Sequence, residues 1–168
     1  MGFIKFVLQD WKANQGNTKG RIVTCFFRIA NFVKGKKILK ILFLPYLIFY
    51  KIIFEWILGM EIPYDTTIGS GFQIWHIQSI VINKHTIIGK NLKIRHCLTI
   101  GNKDGTNICP VIGDNVDIGA NVCLIGAITI GNNVKIGAGS VVVKSIPAFS
   151  VAVGNPAKVI KSEFQADV

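Results

Sequence analysis

The 168-residue chain predicts an all-β parallel β-helix solenoid behind an α-helical N-terminal segment. A six-residue aliphatic period fills the last two-thirds of the chain, and a basic, helix-like stretch without that period precedes it. Every sixth residue from Ile82 reads Ile82, Ile88, Ile94, Ile100, Thr106, Ile112, Ile118, Leu124, Ile130, Ile136, Val142. Ten of these eleven are Ile, Leu or Val, against 21 of the 61 residues in the span, so the column is no accident of composition. Glycine follows six of them, at 89, 101, 113, 119, 131 and 137. An earlier column, Ile62, Ile68, Ile74, Ile80, keeps the period but sits two residues out of register.

A helix repeats near 3.6 residues and an alternating strand every two, so neither explains a period of six. Short flat strands joined by tight turns do. Asparagine and glycine near the corners, such as Asn91, Asn115, Asn121, Asn132 and Asn133, tolerate the positive φ of such turns. The positions two before the column are also mostly apolar (Leu92, Leu98, Val116, Val122, Ile128, Val134), so each strand turns two side chains inward. Stacked coils then pair as parallel strands around a continuous aliphatic core. The expected layout is a helical segment at 1–58, the β-helix domain at 59–160 and a tail at 161–168.

Half the chain is apolar and only 17% is charged, which excludes disorder. Of the formal +10, residues 1–58 hold +8: ten Lys/Arg against Asp10 and Glu55. No nucleic-acid motif accompanies that charge, so no nucleic-acid partner is expected. Cys25, Cys97, Cys109 and Cys123 show no CxxC spacing and read as free thiols in a reducing compartment. With no secretory pattern at the start, a cytoplasmic location is expected. The stretch Ile38–Met60 is rich in aliphatic and aromatic residues. Its longest uncharged run, Ile41–Tyr50, is ten residues and contains Pro45, too short to span a bilayer. Two readings stand: packing against the solenoid base or a neighbouring subunit, or peripheral association with the inner face of the membrane.

Three histidines are available as a general base: His76, His85 and His96. Their spacings of 9 and 11 residues do not suit a three-histidine zinc site, and no metal is expected. His85 lies near the register break and reads as structural or solvent-facing.

The hexapeptide columns, together with Ile136–Gly137–Ala138–Gly139–Ser140 and Gly154–Asn155–Pro156–Ala157–Lys158, resemble the left-handed parallel β-helix acyltransferases. Handedness is implied by that resemblance. Glu61–Ile62–Pro63, Ile68–Gly69–Ser70–Gly71 and Ile74–Trp75–His76 are similar to the serine acetyltransferase branch, whose Asp-Ile-His-Pro, Ile-Gly-x-Gly and Leu-Asp-His segments they match without a gap. The resemblance makes His76 the catalytic base and Glu61 its carboxylate; with about 18 residues per coil, a 15-residue separation fits neighbouring positions on adjacent coils. Two departures bear on the acceptor. The aspartate before the base is Trp75 here, and a second acceptor-side histidine is Cys109. Trp75 suits the apolar face of a sugar ring, and His96 is a further candidate for the acceptor pocket.

The chain looks more like the short acetyltransferases of capsule and exopolysaccharide pathways, of the colanic acid type. The resemblance implies an acetyl-CoA-dependent O-acetyltransferase acting on a sugar hydroxyl, a homotrimer with active sites between subunits, and a coenzyme groove along the later coils. Gly119, Ala120, Gly137 and Ala138 are its expected lining, with Lys144 and Lys158 toward the coenzyme phosphates. The rival readings are serine O-acetyltransferase and a non-catalytic assembly module.

Overall fold

The computed structural model describes residues 2–162. Four helices come first: α1 (Phe3–Val7), α2 (Thr18–Asn31), α3 (Lys37–Leu42) and α4 (Leu44–Tyr50), the last running on into a π-helical turn, Lys51–Ile57. The chain breaks at Gly16, with φ +77°, and Asn17 caps α2 by accepting a 2.9 Å hydrogen bond from the Gly20 amide. Pro45 lies in the first turn of α4, where its missing N–H leaves no helical bond unmade.

From Met60 the chain winds into three parallel sheets, one per face of a prism. The first face stacks Met60–Glu61, Ile80–Ile82, Leu98–Gly101, Cys123–Ile125 and Val141–Val142. The second stacks Thr67–Ile68, Ile87–Ile88, Val111–Ile112 and Thr129–Ile130. The third stacks Gln73–Ile74, Lys93–Ile94, Asp117–Ile118, Lys135–Ile136 and Ser150–Gly154. An antiparallel return strand, Ala157–Ser162, closes the far end of the third sheet. The expected tail at 161–168 thus begins inside this strand, and residues 163–168 lie outside the described residues.

The sequence columns are the core. Ile68, Ile88, Ile112 and Ile130 are buried behind the second face, and Ile74, Ile94, Ile118 and Ile136 behind the third. Each such side chain contributes about 1.5–3 kcal/mol by leaving water. At the corner between the second and third faces, Asn91, Asn115 and Asn133 all take φ near +57°, at 56, 58 and 58°. Their amides form a ladder from coil to coil, at 2.8 and 3.1 Å.

Coil length is not constant. Met60 pairs with Ile80, Ile80 with Leu98, Thr99 with Cys123 and Cys123 with Val141, so successive coils take 20, 18, 24 and 18 residues. The long coil carries its surplus in the loop 102–110. The first carries two extra residues between Ile74 and Ile80, which is the phase shift between the two sequence columns.

A β-helix has an open edge at its first coil, where strand N–H and C=O groups lack partners. Here the helices fill it with polar side chains. Arg28 Nε meets Asp10 Oδ2 at 2.7 Å, with both side chains 1% exposed. The same guanidinium donates to the carbonyls of Ile68 (2.7 Å) and Gly69 (2.6 Å). Asp10 Oδ1 accepts from the amides of Gly71 (2.8 Å) and Phe72 (3.0 Å). Asn14 donates to the Phe72 carbonyl, Asn17 to that of Ile74, and Asn31 to those of Tyr64 and Thr66. The free edges of the second and third sheets are therefore satisfied by side chains of the cap.

Residues 38–57 divide by face. Leu47, Tyr50 and Phe54 are buried, and the Tyr50 hydroxyl donates to the Ile62 carbonyl at 2.9 Å. Ile38, Ile41, Leu42, Trp56 and Ile57 remain exposed, Trp56 at 74%. No helix among the described residues is long and apolar enough to cross a membrane.

Arg28→Ala leaves the buried Asp10 carboxylate unpaired and the Ile68 and Gly69 carbonyls without donors. It is expected to cost about 3–5 kcal/mol in urea unfolding, with helical and β-helix signals lost together. A loss below about 1 kcal/mol would contradict this account of the cap.

Candidate active site

The corner between the third and first faces holds most of the predicted site. Register fixes the alignment. Ile74 pairs with Ile94, Lys93 with Asp117, and Ile118 with Ile136. One residue further along come Trp75, Arg95, Gly119 and Gly137 in one row. The next row is His76, His96, Ala120 and Ala138. Two histidines on neighbouring coils thus continue into a column of small residues.

The surplus pair of residues in the first coil sits at this corner. Counted from the strand before, His76 matches His96. Counted from the strand after, Gln78 does, because the Cys97 amide bonds to the Gln78 carbonyl as the Asn121 amide bonds to that of His96, each at 3.0 Å. The extra residues let His76 bulge outward. His76 is exposed with φ +61°, a left-handed conformation uncommon for a non-glycine residue. Its ring lies edge-on to His96, centroids 5.5 Å apart at 87°. His96 is half-buried, and its Nδ1 is buried without a hydrogen-bond partner. Trp75 is half-buried beside them. Arg95 is tied down through Nη1 to Asp117 Oδ1 at 2.6 Å and to the Ile118 carbonyl at 2.8 Å.

Glu61 lies on the first face, one coil below Val81 with which it pairs. No hydrogen bond joins it to His76 among the described residues. Its nearby acid is Glu55: burial pushes the Glu55 carboxyl up, Lys51 pulls it down, and the Glu61 charge pushes it up again. Cys109 sits near the end of the loop 102–110, just before the second-face strand Val111–Ile112, and is buried. Burial pushes its thiol up, and the Thr86 hydroxyl beside it pulls it back. Within one chain, then, His76, His96 and Trp75 come together, while Glu61 and Cys109 stand apart from that corner.

Gly119 and Gly137 are packed by the coils themselves. A Cβ on Gly119 would lie 2.5 Å from the Ala138 nitrogen, and one on Gly137 2.6 Å from a Val153 methyl. Ala138 is exposed and Ala120 half-exposed. Lys158 pairs with Val153 on the return strand and so reaches this corner. Lys144 is at the opposite end of the first face, just after Val141–Val142. His85 is exposed at the corner between the first and second faces. Beside it, a cavity of about 610 Å3 is lined by Lys34, Lys36, Lys37 and Lys40 from one short stretch and by Lys84, which is distant from them in sequence. Among the described residues, no group of three His, Cys, Asp or Glu side chains is placed to hold a metal ion.

The repeat and the fold have known relatives. The bacterial transferase hexapeptide (six repeats) pattern matches residues 109–144. The chain is 42% identical over 158 residues to an Escherichia coli protein named as the colanic acid biosynthesis acetyltransferase WcaB, covering 91% of this chain and 98% of that one. It is also 42% identical over 108 residues to the serine acetyltransferase of Buchnera aphidicola, covering 62% of this chain but 41% of that one. Among solved structures, soybean serine acetyltransferase superposes with a TM-score of 0.79 at 30% identity, covering 94% of this chain and 69% of that one. The Neisseria gonorrhoeae enzyme gives 0.78 at 31%, covering 95% and 66%. The fold is a left-handed parallel β-helix with a short helical front, as in these neighbours. The chain belongs to the hexapeptide-repeat acetyltransferases, and it is an O-acetyltransferase.

Cys97 is exposed, with φ +55°, whereas Cys109 is buried with its thiol pushed up. A thiol-specific reagent near neutral pH is expected to modify Cys97 well before Cys109, since the thiolate is the reactive form. Peptide mapping of the first modified site checks this.

Proposed function

We propose that this enzyme moves an acetyl group from acetyl-CoA to a sugar hydroxyl of a surface polysaccharide or its precursor, with His76 as general base. The observation that carries the reading is the row at the third-to-first corner: an outward-bulging histidine, a second histidine on the next coil, then Ala120 and Ala138. His76 takes the hydroxyl proton as the sugar oxygen attacks the thioester carbonyl. The tetrahedral intermediate collapses, the C–S bond breaks, and the proton passes to the departing thiolate. Glu61, apart from His76 within one chain, supplies the negative charge that favours the imidazolium in between only where a neighbouring subunit brings the two together. The pantetheine arm runs past Ala120 and Ala138 along the floor made by Gly119 and Gly137, where the small residues permit close approach. Lys158, and Lys144 from the far end of the face, serve the coenzyme phosphates.

Trp75 and Cys109 favour a sugar over serine. A half-buried indole offers an apolar face for a pyranose ring and no carboxylate for an ammonium group. A relative matched over nearly its whole length is named for a polysaccharide pathway, whereas the serine acetyltransferase of Buchnera is matched over less than half of its own. The same reading makes the enzyme a homotrimer with each site between two subunits, where Cys109 of one subunit approaches His76 of the next.

The decisive assay follows acetyl-CoA consumption with serine and with a panel of sugar acceptors. Turnover with free serine alone would overturn the substrate class. His76→Ala is expected to lower turnover by about two to four orders of magnitude with coenzyme A affinity near wild type, and Glu61→Gln to act in the same direction but more mildly. If His96→Ala abolished activity while His76→Ala kept it, the base would be His96.

The exposed outer side of residues 38–57 supports a position at the cytoplasmic face of a membrane. Ile38, Ile41, Leu42, Trp56 and Ile57 would enter the interface while Lys37 and Lys51 meet anionic headgroups, each contributing about 1 kcal/mol. Co-sedimentation with anionic vesicles is expected at low salt, weaker at high salt and reduced by Trp56→Ser. A protein that stays in the supernatant at low salt would leave these residues to an interface between subunits.

A further inference from the structure

The lysine-lined cavity has no part in the chemistry derived so far. It lies where the turn before α3 meets the first-to-second corner of the first coils. Lys34, Lys36, Lys37, Lys40 and Lys84 surround it, and Asp65 is the one carboxylate in its wall. None of these five lysines forms a salt bridge among the described residues. Three are engaged otherwise: Lys34 donates to the Thr67 hydroxyl, the Lys36 ammonium sits 3.5 Å over the Phe32 ring, and the Lys40 ammonium lies 5.8 Å from the Tyr64 ring centre. A surface with five ammonium groups and one carboxylate around one concavity focuses a positive field into it. At about 610 Å3 it is the size of a small-molecule site.

Its neighbours say what part of a ligand it takes. Lys84 and His85 are shared with a depression of about 340 Å3 that also contains Glu61 and reaches the loop 102–110. Lys40 and Tyr64 are shared with an apolar cleft of about 380 Å3, walled by Leu44, Leu47 and Ile48, in which Glu61 appears again. The cationic cavity is therefore continuous with the surface around the proposed catalytic carboxylate. The donor column of Ala120 and Ala138 is on later coils at the other end of the first face. A ligand held here lies beside Glu61 and away from the donor column, and it meets His76 and Trp75 across the subunit boundary of the proposed homotrimer.

We propose that this cavity binds a diphosphate on the acceptor, so that the sugar to be acetylated arrives as a glycosyl diphosphate. The inference rests on the sugar reading above. One carboxylate against five ammonium groups leaves more positive charge than a single phosphate monoester neutralises, and lysine serves phosphate as a point charge without a fixed fork. A soluble nucleotide diphosphate sugar and a lipid-linked glycosyl diphosphate present the same group, the second with its chain toward the apolar cleft and the outer side of 38–57.

Titration calorimetry of the full chain with inorganic pyrophosphate tests the cavity directly. Wild type is expected to bind, with affinity that falls as salt rises. The double variant Lys37→Gln/Lys84→Gln is expected to bind at least about tenfold more weakly, since two charge-assisted contacts are lost. Lys12→Gln, elsewhere on the exposed surface, should bind as wild type. No wild-type binding, or equal weakening by Lys12→Gln, overturns the site. Acetyl transfer is then measured to a nucleotide diphosphate sugar, to the lipid-linked form in phosphatidylcholine vesicles, to the same sugar without phosphate, and to serine. Preference for either diphosphate form supports the proposal and identifies its source, provided the double variant raises the acceptor KM and leaves that for acetyl-CoA unchanged. Equal use of the phosphate-free sugar overturns the acceptor role and leaves sugar acetylation standing. Turnover on serine alone overturns both.

Discussion

The buried Asp10–Arg28 pair settles a problem that any β-helix has at its first coil. Every later strand hydrogen-bonds to the coil before it, but the first has only solvent or a cap. An apolar helix laid on that edge would bury backbone amides and carbonyls without partners, at a cost of about 1–3 kcal/mol each. The cap instead presents one guanidinium to two carbonyls and one carboxylate to two amides, at distances of 2.6–3.0 Å. The two charges neutralise each other while their remaining hydrogen-bonding capacity is spent on the open strands. That pairing permits helices to sit flush on a sheet edge, with Phe27 packed edge-on against Phe72. The buried inner side of 38–57 continues the same cap, through Tyr50 to the Ile62 carbonyl.

Regular coils have no obvious place to carry out chemistry, because every corner resembles the one above it. Irregularity breaks the equivalence. The first coil spends two extra residues where the third face turns into the first, and the chain uses them to push His76 out at positive φ toward His96. The 24-residue coil spends its surplus at the other end of the first face, and Cys109 closes that loop. Both departures flank one face, and Glu61 lies on it. The strain at His76 is held by a rigid stack on one side and by the Gln78 carbonyl bond on the other, which is how a sparsely populated backbone conformation persists.

Periodicity made the solenoid legible, since burial in a stacked coil depends on residue type at fixed spacing and little else. The columns from Ile62 and from Ile82 are the buried columns of the structure, and their two-residue offset marks the His76 corner. Long-range polar pairing was not legible. Asp10 and Arg28 entered the charge count of the front end as two unrelated residues, because their true partners are backbone groups some 40 to 60 positions away, and backbone groups look alike in any sequence. The lysines from 34 to 40 entered only as part of the basic front end for the same reason: folding alone brings Lys84 to them. Residues 38–58 have a buried inner side and an exposed outer side, a distinction that Pro45 and the π-helical turn hide by breaking the helical period. Cys109 was picked out by resemblance, but its burial beside Thr86 follows from where the long loop returns.

Small residues at the third-to-first corner carry two kinds of information that the structure separates. Gly119 and Gly137 need no ligand to explain them. Coils stacked at strand spacing bring the next coil's Ala138 backbone and the Val153 side chain to within 2.5 and 2.6 Å of any Cβ there. A glycine would stand at these positions in a solenoid with no activity at all. Ala120 and Ala138 are different, because they are half-exposed and exposed, and Ala138 meets Gly119 through its backbone rather than its methyl. Coil packing alone leaves room for a longer side chain at 138. A small residue there, in the same row as His76 and His96, is the part of the glycine-and-alanine pattern that stacking does not require, and it is where the proposed thioester arm would pass close to the backbone.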